Sequence, residues 1–145
     1  MDATTYVPVG NPTEVGFLKF LQDADIPIHL LIQRKNGRIR AQVPFSSEKK
    51  RSAIALEDPD RPGVVVIHVK GAPEVILDLC QSMVAGERDA ELGPDEKDEI
   101  DQKIRQMASQ MLRIIAFATY EMDSDEWINR FETKAGSSAS QEFEE

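Results

Sequence analysis

The chain has little cysteine and no long apolar run. Its one cysteine, Cys80, excludes an intrachain disulfide and lies in an apolar helical pattern, which predicts a buried thiol in a reducing compartment. No apolar run approaches the length of a membrane span, and the first residues lack the basic and apolar regions of a signal peptide. We therefore expect a soluble, cytosolic chain that does not itself enter a membrane.

Common phosphate-binding and catalytic motifs are absent too. The sequence contains neither a Walker A loop nor Gly-x-Gly-x-x-Gly, which excludes two frequent phosphate cradles. The only histidines, His29 and His68, are far apart in apolar surroundings, so we expect core or strand histidines and not a metal site. No nucleophile-elbow pattern frames a serine. We predict no catalytic and no metal-binding residue.

The net charge of −9 argues against a nucleic-acid partner, because affinity for phosphate backbones depends mainly on clustered Lys and Arg. The charge is uneven, however. Acidic residues concentrate in 87–99 and near the C-terminus, whereas Lys49, Lys50 and Arg51 form a compact basic group that can attract a small anion.

The length and composition indicate one domain. A chain of 145 residues that is 41% hydrophobic can form one core and is too short for two comfortable domains. Residues 135–145 contain too few apolar side chains to fold. We predict a domain over residues 1–131 and a disordered tail over 132–145.

Helix signals mark the start of the chain and its later half. Asn11 as N-cap, Pro12 at the first helical position and Glu14 three residues after the cap predict a first helix. Residues 28–33 fit either a short helix or a strand. A long helix is predicted after an acidic loop at 84–92, with an apolar stripe that we expect to lie in the core: Ile100, Ile104, Met107, Ala108 and Met111. Trp127 and Phe131 fit a last amphipathic turn.

Four segments read as strands. Residues 38–43 alternate in polarity, 52–56 and 64–69 flank a turn rich in Pro, Gly and Asp, and 113–120 are rich in β-formers. The short connection between the second and third strands predicts an antiparallel hairpin.

The third strand leads into the chain's central motif, Lys-Gly-Ala-Pro-Glu at residues 70–74. Pro73 suits the first turn of a helix, Lys70 stands at the strand end, and Gly71 leaves its backbone open to a ligand. An ordinary strand-to-helix turn with a solvated lysine is the alternative for these residues alone.

Similar signals stand at other element ends: Glu14, Phe45 with the lysines that follow it, and Arg113. An adenine nucleotide such as ATP can use this set, because its ring stacks on an aromatic side chain, its amino group donates to a carboxylate, and its phosphates need fixed positive charge. The sequence alone does not bring these residues together in space.

The motifs occur in an order that resembles the nucleotide-binding domain of P-type ATPases, over residues 8–122. They are Asn-Pro-Thr-Glu at 11–14, Pro-Phe-Ser-Ser at 44–47, Lys-Gly-Ala-Pro-Glu at 70–74 and Arg-Ile-Ile-Ala-Phe-Ala at 113–118. The first two variants look most like calcium-transporting pumps of the plasma-membrane type. The resemblance implies an α+β fold with a mainly antiparallel sheet flanked by helices.

The resemblance also implies a role for each site residue. Phe45 would stack on adenine, Glu14 would lie near the adenine amino group, and Ser47 would add a polar contact. Lys70 and Gly71 would line the pocket floor, and Lys50 and Arg113 would face the phosphates, although Lys49 or Arg51 could replace Lys50 in that role.

The implied function is ATP binding, as Mg-ATP in the full-length parent, on the cytoplasmic side of a membrane. The nucleotide would be presented to an aspartate of a phosphorylation domain whose Asp-Lys-Thr-Gly-Thr motif is absent from this sequence. The phosphorylation and actuator domains of the parent pump are the expected partners of a monomeric fragment that neither hydrolyses ATP nor transports an ion alone. The alternative is a protein-interaction module of the same fold without useful nucleotide binding, supported by the acidic stretch at 87–96 and the charged tail.

Overall fold

The structure is a computed structural model that describes residues 9–35 and 38–132, with the side chains of residues 34 and 35 excepted. It divides into two compact units, residues 1–37 and 38–145. The predicted tail lies outside the described residues except for Glu132. The prediction of one domain over 1–131 stays a prediction.

The first unit contains two helices, α1 (Pro12–Asp23) and α2 (Ile28–Lys35). Asn11 caps α1 as predicted, because its side-chain Oδ1 accepts a hydrogen bond of 2.9 Å from the backbone N–H of Thr13. Residues 28–33, which fitted a helix or a strand, belong to α2, and His29 is exposed there.

The second unit begins with an antiparallel sheet and adds helices around it. In chain order its elements are β1 (Ile39–Val43), β2 (Arg51–Glu57), β3 (Val64–Gly71), α3 (Pro73–Leu79), β4 (Ser82–Ala85), β5 (Arg88–Glu91), α4 (Pro94–Ser109), β6 (Ala116–Asp123), α5 (Ser124–Trp127) and a π-helical turn (Ile128–Glu132).

The main sheet has the strand order β1-β2-β3-β6, and every neighbouring pair is antiparallel. The predicted hairpin of β2 and β3 is confirmed, and so is the α+β fold class. β6 follows β3 in the sheet although α3, β4, β5 and α4 lie between them in the sequence, and the two strands pair along their whole length. β3 therefore lies between two partners, and the residues at its C-terminal end are held on both sides.

One face of the sheet carries the core. Alternate residues of the strands point to the same face, and there they form a buried cluster around the fully buried Trp127: Ala41, Ala55, Val65, Ile67 and Met122. The Trp127 ring lies 4.5 Å from the Phe131 ring, between centroids, and its Nε1–H donates a 2.8 Å hydrogen bond to Glu132. The predicted last amphipathic turn is thus a lid on the sheet.

Several local predictions were wrong. The predicted acidic loop at 84–92 is mostly the hairpin of β4 and β5. The α4 stripe is not a core face, since no residue of α4 is buried and Met111, beyond the helix end, is 97% exposed. Cys80 is the half-buried C-cap of α3 and not a buried helical residue. Of the two histidines expected in the core or in a strand, His68 lies in β3 as predicted, whereas His29 is an exposed residue of α2.

The last strand also begins later than predicted, at Ala116 and not at Arg113. Pairing explains the difference, because the partner strand β3 ends at Gly71, which is opposite Ala116. Arg113 therefore lies in the connection from α4 to β6, although its β-rich neighbours suggested a strand.

Candidate functional site

The register of the sheet gathers four strand termini at one end. Arg51 pairs with Gly71, and Gly71 pairs with Ala116, so the start of β2, the end of β3 and the start of β6 form one row. β1 ends beside this row, where Val43 pairs with Ala53. We call this edge the Gly71 end of the sheet. Three connecting segments meet the sheet at this end, and each contains a different one of the sequence motifs.

Lys70 stands in the neighbouring row of the same end. Its register partners are Ser52 on β2 and Phe117 on β6. Because Val69 packs against the Trp127 cluster and successive strand residues point to opposite faces, these three residues share the face away from that cluster. Lys70 is half-buried, and Phe117 is 61% exposed. Phe117 was not predicted as a site residue, because its neighbours Ala116 and Ala118 are apolar too and no alternation of polarity marks its exposed face.

The loop from β1 to β2 carries Phe45, two residues beyond Val43 and 61% exposed. Ser46 holds the loop: its carbonyl accepts a 2.8 Å hydrogen bond from the Lys50 N–H, and its hydroxyl accepts one of 3.0 Å from the Lys49 N–H. Ser47 is exposed on the same loop. Ser46, which was not predicted as a site residue, therefore stabilises the loop, whereas the predicted Ser47 does not take part in these hydrogen bonds.

Lys50 and Gly71 join this loop to the central motif. Lys50 has a left-handed backbone, with φ of 51°, and its carbonyl accepts a 2.9 Å hydrogen bond from the Ala72 N–H. A Cβ on Gly71 would lie 2.5 Å from that carbonyl oxygen and 3.0 Å from the Arg51 Cα. The protein's own backbone therefore requires glycine here. A ligand against the Gly71 backbone stays a prediction.

Two further cations lie near the junction. The Lys50 Nζ is 3.5 Å from a carboxylate oxygen of Glu74, in the first turn of α3, and both side chains are about half exposed. Arg113 is exposed and precedes Ala116 by three residues, a span of at most about 10 Å of extended chain. Lys50, Lys70 and Arg113 thus come from three segments that converge on the Gly71 end.

Glu14 is the one predicted site residue in the first unit. It is exposed in the first turn of α1, three residues after the N-cap Asn11. The sheet register concerns the second unit, so it brings together Phe45, Ser47, Lys50, Lys70, Gly71 and Arg113 and does not include Glu14.

The opposite end of the sheet carries a different cluster of charges. Arg61, in the turn between β2 and β3, donates two hydrogen bonds of 2.6 and 2.7 Å to the Glu121 carboxylate and one of 2.7 Å to Asp58. The backbone N–H of Asp60, and then the Arg61 guanidinium, lower the pKa of Asp58. The Arg61 hydrogen bonds also lower the pKa of Glu121. This cluster attaches the turn to β6, and the Arg61 guanidinium in it is already bound to two carboxylates.

Within residues 9–35 and 38–132, no three His, Cys, Asp or Glu side chains form a group able to hold a metal ion. No helix in the same ranges is long and apolar enough to cross a membrane. At the Gly71 end, an exposed aromatic side chain and several cations come from converging segments, and this combination suits a ligand with a flat ring and a negative charge.

A protein-family model described as "P-type ATPase, cytoplasmic domain N" matches residues 2–145. The chain belongs to this family. The N-domain resemblance expected from the four motifs is confirmed, and it extends over nearly the whole sequence.

The N domain is also similar to curated calcium-transporting ATPases. It is 36% identical over 116 residues to "Calcium-transporting ATPase 5, plasma membrane-type" of Oryza sativa subsp. japonica, which covers 78% of this chain and 10% of that protein. It is 38% identical over 130 residues to "Calcium-transporting ATPase 10, plasma membrane-type" of Arabidopsis thaliana, which covers 85% of this chain and 12% of that protein. The N domain thus spans about a tenth of the length of these relatives.

Proposed function

We propose that this N domain binds ATP at the Gly71 end of the sheet. The register supports the proposal most directly, because Arg51, Gly71 and Ala116 stand in one row and bring together motifs that are far apart in the sequence. Neither the ring-stacking residue nor any cation would form a site alone. Their convergence gives one ligand a base contact and several phosphate contacts.

In the proposed complex, Phe45 stacks on the adenine ring, whereas the position of Glu14 near the adenine amino group stays an expectation from the family resemblance. Phe45 is available for stacking because it is 61% exposed. Lys70 and Gly71 form the floor of the site, and Ser47 adds a polar contact. Lys50 and Arg113 face the phosphates, where a cation gives charge-assisted hydrogen bonds.

Binding by the isolated domain should be weak. A base stack contributes about 1–3 kcal/mol and each of several charged hydrogen bonds about 1.5–3 kcal/mol, whereas association costs about 4 kcal/mol or more. The balance corresponds to a dissociation constant near the millimolar range, at about −4 kcal/mol.

In the parent protein, we propose that the domain presents the γ-phosphate of Mg-ATP to an aspartate of a separate phosphorylation domain. The parent would be a calcium-transporting pump with an actuator domain, and this domain would lie on the cytoplasmic side of its membrane. The chain lacks the Asp-Lys-Thr-Gly-Thr motif. We therefore expect no ATP hydrolysis by this domain alone, measured as phosphate release above a buffer control.

An NMR titration with ATP, with and without magnesium, tests the proposal. Saturable shifts of the backbone amides of Phe45, Lys70, Gly71 and Arg113 are expected, and Phe45→Ala or Lys70→Ala should abolish them. Phe20→Ala is the matched control, since this phenylalanine is 67% exposed on α1. No shifts at millimolar ATP would contradict nucleotide binding and favour a protein-interaction domain.

A further inference from the structure

Lys50 is positioned more firmly than an exposed lysine usually is. Its backbone N–H donates to the Ser46 carbonyl, and its own carbonyl accepts from the Ala72 N–H. These two hydrogen bonds attach it both to the Phe45 loop and to the turn that starts α3. The origin of its side chain is thus fixed, and the ammonium group reaches the carboxylate of Glu74 at 3.5 Å.

Glu74 therefore occupies the place beside Lys50 that a bound anion would need. A phosphate that approaches the Lys50 ammonium is repelled by the Glu74 carboxylate, which has the same sign of charge. At a few ångströms this repulsion is significant even near water. The ligand must either share Lys50 with Glu74 or displace it. The base, which carries no charge, meets no such obstacle.

We propose that Glu74 is an intrinsic competitor that lowers the affinity of this site for phosphate groups. The proposal rests on the ATP site proposed above and adds an anionic residue to it. Glu74 pairs with Lys50, and a bound triphosphate replaces it there. Glu74 thereby sets how strongly the site distinguishes ATP from an uncharged nucleoside.

The expected effect is moderate, because Lys50 and Glu74 are 56% and 54% exposed. Exposed ion pairs are weak, so removal of the Glu74 charge should tighten ATP binding about two- to five-fold. The gain should shrink between 50 mM and 500 mM salt, because added ions screen exposed charges. Adenosine should bind Glu74→Gln and the unchanged domain equally.

The test compares ATP and adenosine dissociation constants for the unchanged domain, Glu74→Gln and Asp78→Asn, from amide shifts of Phe45 and Gly71. Asp78→Asn removes the same charge from α3, one turn further along the helix. We expect tighter ATP binding for Glu74→Gln and a smaller change for Asp78→Asn. Equal or weaker ATP binding by Glu74→Gln would overturn the competitor role while ATP binding itself stands. If neither the unchanged domain nor Glu74→Gln binds ATP, the proposed function is wrong, and the competitor role is wrong with it.

A double-mutant cycle with Lys50→Asn then tests the pairing itself. Asparagine tolerates the left-handed backbone at this position, so the loop should keep its conformation. In the Lys50→Asn background, Glu74→Gln should no longer tighten ATP binding. A gain that persists without Lys50 would show that Glu74 acts through general charge and not through this ion pair.

Discussion

Gly71→Ala should destabilise the N domain although it adds only one methyl group. The new Cβ would lie 2.5 Å from the Lys50 carbonyl oxygen and 3.0 Å from both the Cα and the Cβ of Arg51. These are mostly backbone atoms of a paired strand, so they cannot rotate away as the end of a side chain can. Either β2 moves from β3 or the Ala72–Lys50 hydrogen bond breaks.

The magnitude follows from three contributions. Overpacking costs about 1–3 kcal/mol, and a lost hydrogen bond costs about 0.5–1.5 kcal/mol. The lower entropy of the unfolded alanine chain offsets about 0.4–1 kcal/mol. We expect a net loss of about 1–3 kcal/mol in the free energy of unfolding, which lowers the urea midpoint by about 1 M.

Trp127 reports this transition, since it is the one tryptophan of the chain and is fully buried. Gly16→Ala is the control, because a Cβ there meets no atom within 4 Å and alanine favours the interior of α1. A Gly71→Ala variant with an unchanged urea midpoint would refute the close-approach argument.

Three further predictions follow from the same structure. Trp127→Ala should lower the free energy of unfolding by about 3–5 kcal/mol, measured by circular dichroism, because it empties the centre of the core; a loss below about 1 kcal/mol would contradict that position. Arg61→Gln should lower the urea midpoint at pH 7, and the difference from the unchanged domain should disappear in acid. Asp58 and Glu121 have lowered pKa values in the native state, so the stabilisation they give is complete above their unfolded-state pKa values. It is lost as the pH falls through their native pKa values, below about pH 4. A difference that persists at pH 2 would contradict the charge pairing. ATP affinity should fall between 50 mM and 500 mM salt while adenosine affinity stays constant, as measured by NMR titration, and a salt-independent ATP affinity would argue against phosphate contacts at Lys50 and Arg113.

Local chemistry made much of the fold predictable. The Asn11 cap, the alternation in β1 and the turn between β2 and β3 each depend on a few neighbouring residues, so one sequence window contains the necessary information. The β4–β5 hairpin was missed because all but one of its strand residues are exposed, so no buried face imposes an alternation of polarity on the sequence. The exposure of Met111 was missed because periodicity indicates an apolar face and not what covers it.

The sequence suggests residues for the candidate site but not their geometry. The sequence placed Lys70 at a strand end, but only the pairing of β3 with β6 brings Arg113 to the same edge. The reason for glycine at residue 71 was also non-local, because the atoms that exclude a side chain belong to Lys50 and Arg51, twenty residues earlier. Glu74 could have been selected only from its distance to Lys50.

The left-handed backbone of Lys50 implies a compromise between folding stability and the proposed ligand recognition. A residue with a Cβ is strained at φ of 51°, by roughly 1 kcal/mol, whereas glycine is not. Backbone preference therefore cannot account for a lysine at this position. A Lys50→Gly domain should be as stable as the original or more so, and it should bind ATP more weakly where Lys50 faces the phosphates as proposed. Selection for stability alone would therefore not retain this lysine.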